Sequence, residues 1–297
     1  MIRINRLAAI LSLVFLSSCG SPPTSSAEPK LPWPASDAKI VDEFKTELKN
    51  KLDASFTIST VGPWVIATDM DANDAKRIVD SCILHCATGI QRQLFTRTPR
   101  STPAKVYLFK DGESYNAWNK KLFNEKPISI FGYYRRANNS LVMNIGTGGG
   151  TLIHEMVHAM AEADFSDIPA WLNEGLGSLF EASGTSPAGK IIGLTNWRLK
   201  GLHTDLNTNS ESQLDKLIGM DDSEFYGERS GSNYAAARYF MQWMQEQGKL
   251  EAFYTRVREK RDKEPKLALT AVFDNKLTVA EIHKQCFDWA KTLTLKR

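Results

Sequence analysis

The sequence predicts an α+β protein, with a small sheet in its first half and helices through its second. Three observations carry this. Short runs of β-branched and aromatic residues, broken by turn signals, fall between residues 56 and 145. Apolar residues at helical spacing recur around them, and beyond Thr151 nearly every regular segment has the helical period. At 42% hydrophobic and 24% charged, the 297-residue chain can bury one large or two modest cores, which excludes general disorder.

The first residues read as a secretion leader. Arg3 and Arg6 form a basic start, and the apolar run over 7–16 is too short to span a bilayer, so 1–18 are expected to be cleaved as a signal peptide. Leu16, Ser17, Ser18 and Cys19 resemble the lipobox of bacterial lipoproteins, which implies lipidation of Cys19 and anchoring to the membrane of the cell envelope. Gly20 after the Cys is similar to lipoproteins of the outer membrane, which implies a site there, facing the periplasm. Loss of Arg3 and Arg6 leaves acids and bases nearly balanced, and nothing in that balance asks for a nucleic-acid partner. Residues 19–36, rich in Pro and Ser, read as the lipidated Cys and an extended tether reaching up to about 50 Å. The folded part begins near Asp37.

An α+β lobe is expected over 37–150 and a helical lobe over 151–297. Residues 56–60 and 64–68 read as strands around a turn at Gly62 and Pro63. A helix capped by Asp71 or Asn73 runs through Ile78, Val79, Ile83, Cys86 and Ile90 to about residue 95. Cys82 and Cys86 share one face of it with nearly parallel side chains, so a bridge between them is not expected, while either could pair with Cys286 in an oxidising compartment. A metal role for Cys82, His85 and Cys86 is outweighed by their apolar neighbours Ile83, Leu84 and Ile90. A strand over 105–109 and a helix over 114–123 follow. Next comes a hairpin of 130–135 with 141–145 around Ala137, Asn138, Asn139 and Ser140. Helices are then expected over 171–181, 234–247, 250–260 and 279–293.

Chemistry enters at Thr151, Leu152, Ile153, His154, Glu155, Met156, Val157 and His158, which contain HExxH. At 100° per residue, side chains four apart fall within about 40° of each other, so His154 and His158 can grip one ion together. Glu155 sits about 100° round, beside the ion, where a carboxylate can take a proton from water. Fifteen residues separate His158 from Glu174 in Trp171, Leu172, Asn173, Glu174 and Gly175, enough for a turn and the return of a second helix. Two His and one Glu with an open fourth position are a standard catalytic zinc set.

At these two motifs the chain resembles the gluzincins, and most closely the peptidase MA-like group, in which HExxH is followed by W-L-x-E-G. The resemblance extends over residues 100–290, strongest at the motifs. It implies a zincin-like fold, a small sheet-bearing N-terminal lobe over a mostly helical C-terminal lobe with the active-site helix between them. It also implies Zn²⁺ held by His154, His158 and Glu174, Glu155 as general base, and hydrolysis of a peptide or protein substrate in the envelope. A downstream Tyr or His stabilises the oxyanion in that family. Tyr234 is the candidate, the alternative being an aromatic packed into the core at a helix start. The rival function is a catalytically silent lipoprotein of the same fold that binds envelope partners; an intact Glu155 argues against it.

Two departures mark this chain. Thermolysin-like members place a carboxylate four residues after the ligand Glu, to orient a ligand His; here that position is Ser178, and the orienting residue is not identified. Asp164 stands where shorter zincins place a third ligand, yet Ala161 replaces the Gly their turn needs, so Glu174 is preferred. Glu162 and Glu181 read as solvated charges, although Glu181, two turns after Glu174, could face the cleft. His85, His203 and His283 read as surface or core histidines, and Met241, Trp243 and Met244 as core. The strand over 141–145 ends in Gly146, Thr147, Gly148, Gly149 and Gly150; by the same resemblance it would be an edge strand pairing with substrate, the glycines allowing it or a lid to shift.

Overall fold

A computed structural model describes residues 30–261 and 263–295. The expected leader, Cys19 and the tether up to residue 29 lie outside these. Helix α1 (Ala38–Lys51) opens at Asp37, whose carboxylate accepts from the Lys39 amide and caps the first turn. Strands β1 (Thr57–Val61) and β2 (Trp64–Thr68) form a hairpin. A long helix in three sections follows: α2 (Ala72–Ile78), a π-helical section (Val79–Ala87) and α3 (Thr88–Gln93). Next come β3 (Ala104–Phe109), α4 (Gly112–Phe123), β4 (Gly132–Arg135), β5 (Ser140–Asn144), α5 (Gly150–Asp164) and α6 (Ala170–Phe180). A small ribbon of β6 (Ser183–Thr185) and β7 (Ile191–Gly193) leads to α7 (Arg198–Asn207), α8 (Leu214–Leu217) and α9 (Asp222–Phe225). The chain closes with α10 (Ser230–Glu246), α11 (Leu250–Arg258), α12 (Pro265–Ala271) and α13 (Val279–Thr292).

The fold is α+β with a mixed sheet of order β1-β2-β3-β5-β4. The central pairings β2 with β3 and β3 with β5 are parallel, and the outer two are antiparallel. Period-two alternation sends successive side chains to opposite faces. Ile66, Val106, Leu108, Leu141 and Met143 thus join the core shared with the π-helical section and α5. Val65, Ala67, Tyr107, Phe109 and Val142 meet Val41, Leu48, Tyr115 and Trp118 of α1 and α4. Covered on both faces, the inner strands are buried along their whole length and mostly apolar. Helix α1 was not anticipated, although Val41 and Leu48 lie two turns apart behind a capping Asp.

Three expectations are corrected. Leu31 and Trp33, assigned to the tether, belong to the folded unit: Trp33 is buried, its indole donates to Gln91 (2.9 Å), and its ring meets Trp64 edge-on. The Pro content suggests an extended tether, but an indole is too apolar to leave in water. The strand before the glycine run is not an edge. β5 lies between β3 and β4, so β4 is the terminal strand. Cys286 is a free, buried thiol, not bridged to Cys82 or Cys86. It sits on α13, which packs against α7, α8, α10 and α12, whereas the π-helical section carrying Cys82 and Cys86 packs against α5.

The Asn144 amide donates to the Phe131 carbonyl (2.9 Å). Continuing the register of β4 with β5 by one step places these two residues opposite each other. In an antiparallel ladder such pairs alternate with open ones, so the backbone groups of Gly132 and Tyr134 face the free edge. Among the described residues, no helix is long and apolar enough to cross a membrane. Unfolded without reductant, the protein should expose a Cys286 thiol that alkylates fully; recovery of a disulfide-linked peptide containing Cys286 would contradict the fold.

Candidate metal centre

Helix α5 sends Leu152, Ile153, Met156, Val157 and Met160 into the core and turns His154 and His158 toward α6. Helix α6 is buried along its whole length. It runs antiparallel to α5, since His158 faces Asn173 while His154 faces Gly177 and Glu181. Trp171 anchors its first turn against Phe253, with ring centroids 6.1 Å apart. Glu174 then reaches both imidazoles. Its Oε2 lies 3.2 Å from His154 Nε2 and 3.5 Å from His158 Nε2. The three ligating atoms lie within 4.8 Å of one another, a group that could hold a metal ion.

The remaining ring nitrogens are also directed. His158 Nδ1 lies 2.9 Å from Asn173 Oδ1, and His154 Nδ1 lies 3.4 Å from Glu181 Oε2. Each ring thus aims Nδ1–H at a protein oxygen and leaves Nε2 for the centre. Ser178, where the carboxylate is missing from the sequence pattern, is buried; the carboxylate comes from Glu181, one turn further on. Asn196 Nδ2 (3.2 Å) and Trp197 Nε1 (3.1 Å) donate to Glu181 Oε1, and Arg198 lies 3.5 Å from Oε2. Glu181 is therefore a held carboxylate and not a solvated one.

Burial disfavours charge on these groups, and their mutual attraction reverses it. Burial raises Glu181, but the hydrogen bond to His154 and the charges of Arg198, His154 and Arg238 outweigh this and hold it at about 2. Glu174 lies well below the ordinary carboxylate range, its burial overcome by His158 and His154. For both imidazoles burial lowers the pKa; Glu174 more than restores it, helped by Glu181 at His154 and by Glu155 at both. A centre that draws positive charge this strongly fits a divalent cation, which would replace the imidazole protons.

The centre lies in a cleft of ≈ 570 Å³, lined among others by Glu155 of α5, Tyr133 and Tyr134 of β4, and Tyr226 and Tyr234. Tyr226 donates its hydroxyl to Glu174 Oε1 (2.7 Å). Tyr234 packs against both the core and the ring of Tyr226, at 6.3 Å. Its phenol is pushed up by burial and then by the nearby Glu174 carboxylate. Tyr234 is thus a packed aromatic that also lines the cleft. Tyr226, Asn173 and the role of Glu181 were missed from sequence. Of these only Glu181 carried a signal, its two-turn spacing from Glu174.

Asp164 is occupied elsewhere. Its Oδ2 accepts from Arg258 (2.7 Å) and Tyr254 (2.9 Å), its Oδ1 from the Thr98 amide (2.8 Å), and its side chain is fully buried. His85 pairs with Thr185, His203 with the Ala290 carbonyl, and His283 with Glu211. Met241, Trp243 and Met244 are core. Glu162 is half-buried beside Arg136, 3.6 Å away, and not simply solvated.

Fold and site together define an α+β protein with a candidate metal centre between two antiparallel helices, open to a cleft. Residues 149–266 match a family described as a protein of unknown function (DUF1570). The matched stretch takes in α5 and α6, and so all three residues of the centre. No curated protein matches the chain.

Glu174→Ala should fold yet lose metal by elemental analysis. Asp164→Ala should retain metal in its folded fraction while losing about 3–5 kcal/mol of stability in chemical denaturation, the scale for a buried charge left without its partner. The opposite ranking would make Asp164 the third ligand.

Proposed function

We propose that this chain is a zinc-dependent peptidase of the gluzincin type, carried as a lipoprotein of a bacterial envelope. The observation that supports this best is the convergence of His154, His158 and Glu174, from an HExxH helix and a W-L-x-E-G helix, in a cleft that also takes Glu155. Two imidazole nitrogens and a carboxylate oxygen suit Zn²⁺. When bound, the ion supplies Lewis acidity to water and to a carbonyl oxygen. Asn173 and Glu181 keep the imidazoles in the ligating tautomer. Glu155 takes the proton of the attacking water and returns it to the leaving amine nitrogen. The hydroxyls of Tyr226 and Tyr234 flank Glu174, from where either can donate to the carbonyl oxygen as it becomes negative. The open edge of β4 pairs with an extended peptide, the role first expected of β5; main-chain pairing makes little demand on side chains.

Glu155→Gln tests the chemistry, because it keeps shape and hydrogen-bonding while removing the base. It should bind zinc and fold as wild type does, with turnover of casein or a peptide library reduced at least about a hundredfold. Cleavage at the wild-type rate would end the peptidase reading.

The anchor is tested separately. Labelled palmitate should enter the wild type in a bacterial host and not Cys19→Ser, and equal labelling of the two would remove the lipoprotein assignment.

A further inference from the structure

The loop that leads into β4 presents apolar side chains that the fold leaves uncovered. Ile128, Ile130 and Phe131 are 81%, 70% and 47% exposed. Leaving such side chains in water is unfavourable, so three neighbours left exposed point to a function outside the core. The loop is also fixed in place. The Tyr115 hydroxyl donates to the Ser129 carbonyl (2.8 Å), and the Asn144 side-chain amide to the Ile130 carbonyl (2.9 Å). The Asn144 backbone amide holds the Phe131 carbonyl (2.9 Å), and the Phe131 amide donates to Ser129 Oγ (3.2 Å). Tyr115 and Asn144 are both buried. The backbone of the loop is thus tied inward while its large side chains point out.

Position decides what would cover them. The loop continues directly into the terminal strand of the sheet, whose Gly132 and Tyr134 backbone groups face the open edge and whose tyrosines line the cleft. A chain paired antiparallel with β4 that lies opposite Tyr134 arrives opposite Ile130 about four residues later, roughly 13 Å along. Antiparallel pairing brings the C-terminal side of that chain toward the loop.

We propose that the 128–131 loop is a docking surface for an apolar segment of the substrate, about three to five residues C-terminal to the residue held opposite Tyr134 at the cleft. The substrate class is therefore an extended stretch of polypeptide with Leu, Ile, Val or Phe at that distance. This rests on the peptidase reading of the cleft. Continuity with the cleft edge favours a polypeptide over a lipid surface as the occupant.

The probe is a fluorescent decapeptide series in which one leucine is walked along a Ser/Ala background, bound to zinc-loaded Glu155→Gln protein and read by anisotropy. One position of the leucine should bind tightest. Adding Ile128→Ser and Ile130→Ser, both at exposed positions, should weaken that peptide about tenfold and leave the leucine-free peptide unchanged. Equal affinities with and without the two Ser, or no preference for any leucine position, overturn the proposal. Loss of sedimentation with phosphatidylethanolamine and phosphatidylglycerol vesicles, with peptide binding unchanged, overturns it in favour of lipid docking. If wild type cleaves nothing while the leucine preference and its loss are seen, the peptidase reading fails and the docking surface stands.

Discussion

His154 reaches Glu174 and Glu181 at once because α5 and α6 lie almost in backbone contact. A Cβ at position 177 would sit 3.0 Å from the His154 Cε1 and Nε2 atoms, and one at position 150 would meet the Glu181 carbonyl oxygen at 2.3 Å. Glycine at both places lets the two helices close. A wider gap would carry Glu174 out of reach of one imidazole and Glu181 out of reach of the other nitrogen. Since α6 is buried on every side, it cannot shift to compensate.

Charge held out of water fixes the two ends of this pair of helices. Behind His154, Glu181 is gripped by Asn196, Trp197 and Arg198, with the fully buried Arg238 adding to the field. At the far end of α5, Asp164 is closed by Arg258, Tyr254 and the Thr98 amide. Buried ion pairs contribute little net stability, because desolvation offsets attraction, but breaking one is strongly unfavourable. Such pairs tolerate few alternative packings. They suit a site in which an error of an ångström in one imidazole would spoil the ligand set.

The sheet serves the centre by ending where it does. Parallel pairing of β2, β3 and β5 places helices over both faces, and the antiparallel addition of β4 leaves that strand outermost, against α5. The cleft then has a strand edge on one side and the phenols of Tyr226 and Tyr234 on the other. A strand edge beside the helix that carries His154 and His158 is a template for another chain; here its approach is flanked on one side by an apolar loop.

Much of this could be read from the chain alone. The α+β character and the shared face of His154 and His158 rest on short-range periodicity, two residues for the strands and four for the imidazoles, while the hairpin of β4 with β5 rests on turn residues and the addition of Glu174 on the W-L-x-E-G motif. Asp164 was set aside on the missing glycine, and its place in a buried ion pair was invisible. Partners far apart in sequence were not legible: Tyr226 on Glu174 is 52 residues distant, and Arg258 on Asp164 is 94. The same holds for the edge position of β4, for Trp33 in the core, and for Cys286 lying on a different helix layer from Cys82 and Cys86. A sequence repeats the periods of its own helices and strands, so it reports which face of each element is apolar. Which element meets that face is settled by packing over the whole chain, and the residues that orient the centre belong to that second kind of information.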